Sequence, residues 1–217
     1  MPLHINTLFS SGARVWVWHV TETELELKKF IKEEDFFNIS RIYKHPLRRI
    51  QKIITRLLIE ELGAGQIIDL EYSESGKPAA RYFPGHISIS HTKQFVGLLY
   101  HPLFSCGLDL EQVDARVLKI APKFLNEVEK TWIRSENNLE DTALVWSIKE
   151  SLFKNIGGGG ILFKEQLEVE EPLRTSLTSG DGLAVYKKLN QVKTFKYHYE
   201  YLEAVLLVHT IAIETIH

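Results

Sequence analysis

Apolar positions recur along this chain with two clear periods. From Arg14 to Val20, Val15 and Val17 alternate with Trp16 and Trp18, which predicts a strand, and Thr21 with Glu24 has the capping-box spacing for a short helix. Leu47, Ile50, Ile54, Leu57, Leu58 and Leu62 then recur at helical spacing, with Pro46 suited to the first turn and Gly63 to the stop. The opposite side of that helix carries Arg49, Lys52 and Arg56. Short strands follow over Ile67–Tyr72, Ile87–Ser90 and Phe95–Tyr100, the first ending at a turn in Ser75-Gly76-Lys77-Pro78. Cys106–Val113 reads as another strand: Leu108 and Leu110 face one side, Asp109 and Glu111 the other.

Helical segments are predicted over 117–125, 127–134 and 139–156, the last closed by Gly157 to Gly160. That glycine run follows a helix instead of feeding its N-terminus, so it is a stop and not a phosphate loop. Residues 161–213 read mainly as strands, including apolar Ala204–Ile213. Each half thus holds helices and a few strands, with a break at His101-Pro102. The expected fold class is α+β, with two similar α/β lobes packed as a pseudo-dimer within one chain, over residues 1–102 and 103–217, and a ligand cleft between them.

Composition narrows the function classes. The chain has 217 residues, 44% hydrophobic and 25% charged, with a net charge of −2, so bulk electrostatics give no reason to expect a nucleic-acid partner. Cys106 is the single cysteine, which excludes an intrachain disulfide. The N-terminal residues lack a signal-peptide pattern and no apolar run is long enough to span a bilayer, so a soluble cytoplasmic protein with no membrane partner is expected.

Three carboxylates and one lysine carry the candidate chemistry. Asp109 and Glu111 share a strand face; Glu150 and, one helical turn on, Lys154 lie in Trp146-Ser-Ile-Lys-Glu-Ser-Leu-Phe-Lys154. A strand and a helix could therefore grip one hard cation, since magnesium prefers a few carboxylates plus phosphate oxygens and water. Any one of these acids alone is more often a solvated surface residue. Trp146 and Phe153 are expected to be core anchors.

In these motifs the chain resembles the 4′-phosphopantetheinyl transferases, specifically the two-lobe, Sfp-type members. The matching residues are Gly107-Leu-Asp-Leu-Glu111 and Trp146-Ser-Ile-Lys-Glu-Ser-Leu-Phe-Lys154, with Gly76-Lys77-Pro78, Ile87-Ser-Ile-Ser-His91 and the basic helix ending in Arg56-Leu-Leu upstream. The resemblance runs from about residue 48 to 163; Leu108 and Thr92 depart mildly from the pattern. It implies transfer of phosphopantetheine from coenzyme A to a serine of an apo acyl or peptidyl carrier protein, with release of 3′,5′-ADP. It also implies a Mg2+ ion, or Mn2+, held by Asp109, Glu111 and Glu150, with Lys154 on the phosphate oxygens. Glu150, directly or through water, is the first choice of general base and Glu129 the second. Ser90 and His91 are matched to coenzyme A phosphates, Lys77 and Pro78 to its nucleotide end, and Arg49 and Arg56 to its 3′-phosphate. For the two arginines the wet side of a plain amphipathic helix is the competing reading, and Lys149 is a weaker candidate for a coenzyme A contact. The two lobes imply a monomer. The alternative function is a non-catalytic module that binds a carrier protein or coenzyme A on the same fold; a chance coincidence with a metal-dependent phosphohydrolase would leave Gly76-Lys77-Pro78 and Ser90-His91 unexplained.

Overall fold

The computed structural model describes residues 3–213 except positions 65, 67, 75 and 190. Ile67 and Ser75, parts of the predicted third strand and turn, lie outside the described residues. The first half contains β1 (Leu3–Leu8), β2 (Arg14–His19), α1 (Glu24–Leu27), α2 (Glu33–Ile42), α3 (Pro46–Gly63), β3 (Asp69–Tyr72), β4 (Pro78–Arg81), β5 (His86–His91) and β6 (Phe95–His101). The second contains β7 (Cys106–Gln112), α4 (Arg116–Ile120), α5 (Glu127–Trp132), α6 (Asn138–Ile156), α7 (Phe163–Gln166), β8 (Leu167–Val169), β9 (Leu173–Arg174), β10 (Ser179–Lys188), β11 (Gln191–Leu202) and β12 (Val205–Ala212). The architecture is a mixed one of sheets and helices.

One sheet has the order β1-β2-β6-β5 and the other β7-β12-β11-β10-β8, with β9 on β10 and a separate β3-β4 ribbon. Helix α3 buries Ile53, Ile54, Leu57 and Leu58 against Trp16, Trp18, Ile87, Val96 and Leu98. The other face of that sheet, through Val15, Val17, Phe95 and Leu99, meets Leu108, Leu110, Val205, Leu207 and Ile211 of the larger sheet. Helix α6 closes the far side, packing Leu144, Val145, Ile148 and Leu152 among Tyr197, Tyr199, Leu206 and Val208. The order of layers is helix, sheet, sheet, helix. Strand β2 is consequently buried on both faces, which is why bulky and branched apolar residues alternate in it without a polar face.

Several boundaries match the sequence pattern and a few do not. Helix α3 begins at Pro46 and ends at Gly63, with Ala64 in the left-handed cap position. The capping box sits two residues later than expected, between Thr23 and Glu26. Strand β1 and helix α2 are additional, and the segment predicted as helix over 117–125 is a five-residue helix followed by a 3-10 turn. Among the described residues no helix is long and apolar enough to cross a membrane.

The seam between β5 and β7 positions the site. These strands are not joined by a backbone ladder. Instead, Ser88 Oγ accepts from the Leu108 backbone N–H at 2.9 Å and Ser90 Oγ from that of Leu110 at 3.0 Å. On the opposite face of β7, Gly107 lets α6 come close: an added Cβ would collide with the Ser151 carbonyl oxygen. Ser151 Oγ donates to the Gly107 carbonyl at 2.8 Å across that contact.

Candidate active site

Because Leu108 and Leu110 point between the sheets, strand alternation aims Asp109 and Glu111 at α6. Asp109 is only 4% exposed. Lys154 Nζ donates to its Oδ1 at 2.7 Å and Ser147 Oγ to its Oδ2 at 2.8 Å, so α6 supplies partners to both oxygens. Lys154 also donates to Ser90 Oγ at 2.9 Å, joining β5, β7 and α6 in one polar cluster. Glu111 Oε2 accepts from the Trp146 indole N–H at 3.1 Å.

Glu150 completes the group. Burial first, then the charge of Asp109, raise its carboxyl from the usual 4.5 to about 7, with Lys154 pulling it back down and Glu111 adding to the rise. Glu111 is likewise raised, by burial and then by Asp109. The charge of Asp109 therefore reaches both glutamates. They do not converge as they stand: among the described residues, no three His, Cys, Asp or Glu side chains are gathered closely enough to ligate one ion. Asp109 is held by Lys154 and Ser147, and Glu111 by Trp146, so shared coordination requires side-chain rotation.

The basic side of α3 resolves differently from its sequence reading. Arg49 is turned to its own lobe, 2.7 Å from Glu24, and donates to the Lys44 carbonyl at 2.9 Å. Arg56 lies 3.3 Å from both Asp35 and Glu60 and donates to the Ile68 carbonyl at 3.0 Å. Both arginines hold structure together. Arg48 is the cation that reaches the site, with Nη1 2.8 Å from His91 Nε2. Lys52, one turn along α3, shares its face. Burial lowers the His91 pKa, and the charges of Arg48, Lys154 and Lys52 add to that, so the ring is neutral near pH 7 within a ring of cations. The sequence signal for Arg48 was its spacing to Lys52, hidden by the equally basic neighbour Arg49.

Three more expected residues have distinct places. Ser90 is buried in the β5–β7 seam, with its hydroxyl committed to Leu110 and Lys154. Lys77 Nζ donates to the carbonyl of Asn155 at the end of α6, and burial lowers its pKa. Pro78 lies beside it on the wall of a cavity of about 340 Å3 that also includes Gly85, His86 and Gly157.

Glu129 does not face the cleft. It is wholly buried, and its Oε2 accepts from the Asn126 N–H at 2.9 Å while Oε1 accepts from Val169 N–H at 3.0 Å and lies 2.8 Å from Lys149 Nζ. Both oxygens are thus engaged inside the protein, an arrangement that disfavours Glu129 as the second choice of base. Lys149 is also wholly buried, so it is no coenzyme A contact. Burial pushes Glu129 up and Lys149 down, each opposed by its partner. Trp146 and Phe153, expected in the core, are half-buried and line a groove of about 660 Å3 together with Phe124, Phe163 and Glu150.

A strand carboxylate pair, a helix glutamate with a raised pKa and a lysine bridging strand and helix all fall between β7 and the start of β12. Residues 105–205 match the 4′-phosphopantetheinyl transferase superfamily. The chain is also 31% identical, over 130 residues, to the 4′-phosphopantetheinyl transferase gsp of Aneurinibacillus migulanus, an alignment covering 57% of this chain and 52% of that protein. The chain thus spans about half the length of this curated relative. The phosphopantetheinyl transferase resemblance read from the motifs is supported by both comparisons. The family match contains Asp109, Glu111, Glu150 and Lys154, whereas Arg48, Lys77, Ser90 and His91 lie before it.

Proposed function

We propose that this chain is an enzyme that transfers 4′-phosphopantetheine from coenzyme A to a serine of an apo acyl or peptidyl carrier protein, releasing 3′,5′-ADP. The observation that carries this reading is the meeting of Asp109, Glu111, Glu150 and Lys154 at the contact of β7 with α6. The donor set is all oxygen, and the Asp109 charge adds to the rise at both Glu111 and Glu150, which fits a hard divalent ion such as Mg2+ or Mn2+. Asp109, Glu111 and Glu150 would hold it. Such an ion, when bound, neutralises charge on the pyrophosphate of coenzyme A.

The chain's own residues supply the rest. Glu150 takes no hydrogen bond from the described residues, which leaves it free to accept the serine proton directly or through water. The serine oxygen attacks the phosphorus that bears pantetheine; the bond from that phosphorus to the bridging oxygen breaks, and that oxygen leaves with 3′,5′-ADP. Lys154 sits where it can exchange Asp109 for a phosphate oxygen and stabilise the departing group. Arg48 and Lys52 form the cationic rim for the remaining phosphates, with the neutral His91 ring beside Arg48, and the Lys77–Pro78 turn flanks a cavity suited to the nucleotide end.

The two sheets draw on residues 3–101 and 106–212 respectively. This division favours two lobes, 1–102 and 103–217, that together act as a pseudo-dimer, and hence a monomer. The reading is tested by incubating the chain with coenzyme A, Mg2+ and a set of apo carrier proteins. Mass spectrometry should show one phosphopantetheine added to at least one carrier, lost on Asp109→Ala. Coenzyme A binding without mass gain on any carrier would favour a binding module instead.

A further inference from the structure

The lysine next to Glu150 has no place in the chemistry above, yet it is wholly buried. Its ammonium has three partners: Glu129 Oε1 at 2.8 Å, the Phe124 carbonyl at 2.6 Å and the Phe163 carbonyl at 2.9 Å. Those carbonyls belong to two separate segments, one before α5 and one at the start of α7. The side chains of the same two residues flank Trp146, with ring centroids at 5.0 Å for Phe124 and 5.7 Å for Phe163. The indole between them donates its N–H to Glu111. One fixed cation thus sets two backbone segments, the two segments set the rings, and the rings set the indole that holds a carboxylate of the site.

We propose that Lys149, with Glu129 as its counter-charge, is a positioning residue that fixes Trp146 and through it the orientation of Glu111. An apolar side chain in its place would take the lysine donor from two buried carbonyls and leave a buried carboxylate without its counter-charge, and those groups would move toward water. The consequence would reach Glu111 with no change at any group that touches substrate. Its importance for metal affinity rests on the proposed function; its effect on the indole does not. Partners of metal ligands commonly govern metal affinity in this way.

The deciding measurement is the Trp146 indole N–H resonance in a heteronuclear NMR spectrum of the full chain. The chain has four tryptophans, and Trp146→Phe identifies the peak by deleting it. Lys149→Met and Glu129→Gln should each shift that peak and speed its exchange with solvent about tenfold, the factor for one lost hydrogen bond, while the other indole peaks stay put. If Lys149→Met does not fold, Glu129→Gln, which keeps the side-chain shape, carries the test. Mg2+ titration followed by calorimetry should show affinity about tenfold weaker in Lys149→Met and in Trp146→Phe, with no further loss in the double variant. An unchanged indole peak in a folded variant, or fully additive losses of Mg2+ affinity, would overturn the proposal. Absence of Mg2+ binding by the unmodified chain would instead remove the metal reading, with the indole peak still judging the brace.

Discussion

Replacing Glu150 with Gln should stabilise the fold at neutral pH, contrary to the usual effect of changing a half-buried charged residue. In the folded chain this carboxyl is raised from 4.5 to about 7, by burial and then by Asp109. Each tenfold change in proton affinity is about 1.4 kcal/mol, so the cost of ionising Glu150 in the fold is roughly 3 kcal/mol, which solvent screening at a partly exposed side chain trims to about 2. The sign follows from proton counting. Between about 4.5 and 7 the folded chain binds more protons at Glu150 than the unfolded chain does, so stability is full below pH 4.5 and falls as pH rises through 7. Glu150→Gln removes that slope. Urea unfolding of both proteins at several pH values should give equal stability near pH 4.5 and an advantage for the variant of about 2 kcal/mol at pH 8. Added Mg2+ should narrow the gap by stabilising only the native site. A variant less stable than the original at pH 8, or a difference that does not vary with pH, would show that Glu150 is not held against its charge.

Lys154→Ala should abolish transfer and also cost about 1–2 kcal/mol in urea unfolding, less than a fully buried pair because the lysine side chain is 29% exposed while the Asp109 side chain is 6% exposed. Arg48→Ala should weaken coenzyme A binding in calorimetry by about 1.5–3 kcal/mol, with a smaller loss for dephospho-coenzyme A if this residue meets the 3′-phosphate. Arg49→Ala should do the reverse, leaving binding unchanged and lowering the urea midpoint slightly through loss of the Glu24 pair. Gly107→Ala should cost about 3 kcal/mol or more in unfolding measurements, because its Cβ meets the backbone of α6 and no side chain there can give way.

What could be read from the sequence depended on whether a residue's partner lay nearby along the chain. Helix α3 carried its own punctuation in Pro46 and Gly63, and β7 announced its two faces by alternation, so Asp109 and Glu111 were assignable to one side. The choice between Arg48 and Arg49 was not assignable. Adjacent helix positions differ by about 100°, and which one faces the cleft was settled by Glu24 on α1, 25 positions away. Glu129 and Lys149 illustrate the same limit more strongly. Both have the side-chain chemistry of a surface, and only the packing of α5 beside β8 and α6 shows that they neutralise each other in the interior. Trp146 was expected in the core because aromatic residues at helical spacing usually are; its indole N–H instead required a partner, and Glu111 provided it.

The serine seam between β5 and β7 has a consequence for how the molecule behaves in crowded solution. Each is the terminal strand of its sheet, the position that ordinarily offers a row of free donors and acceptors to any passing chain. Here each terminal strand blocks the other. Hydroxyls at Ser88 and Ser90, two residues apart, match N–H groups of Leu108 and Leu110 with the same repeat, so sliding the strands by one residue would present Ile87 and Ile89 to those donors and leave them unmet. The pair of hydroxyls therefore acts as a key: it allows one alignment of the two sheets, keeps both rims from recruiting foreign strands during folding, and makes the alignment that excludes aggregation the same one that brings Lys154 to Asp109.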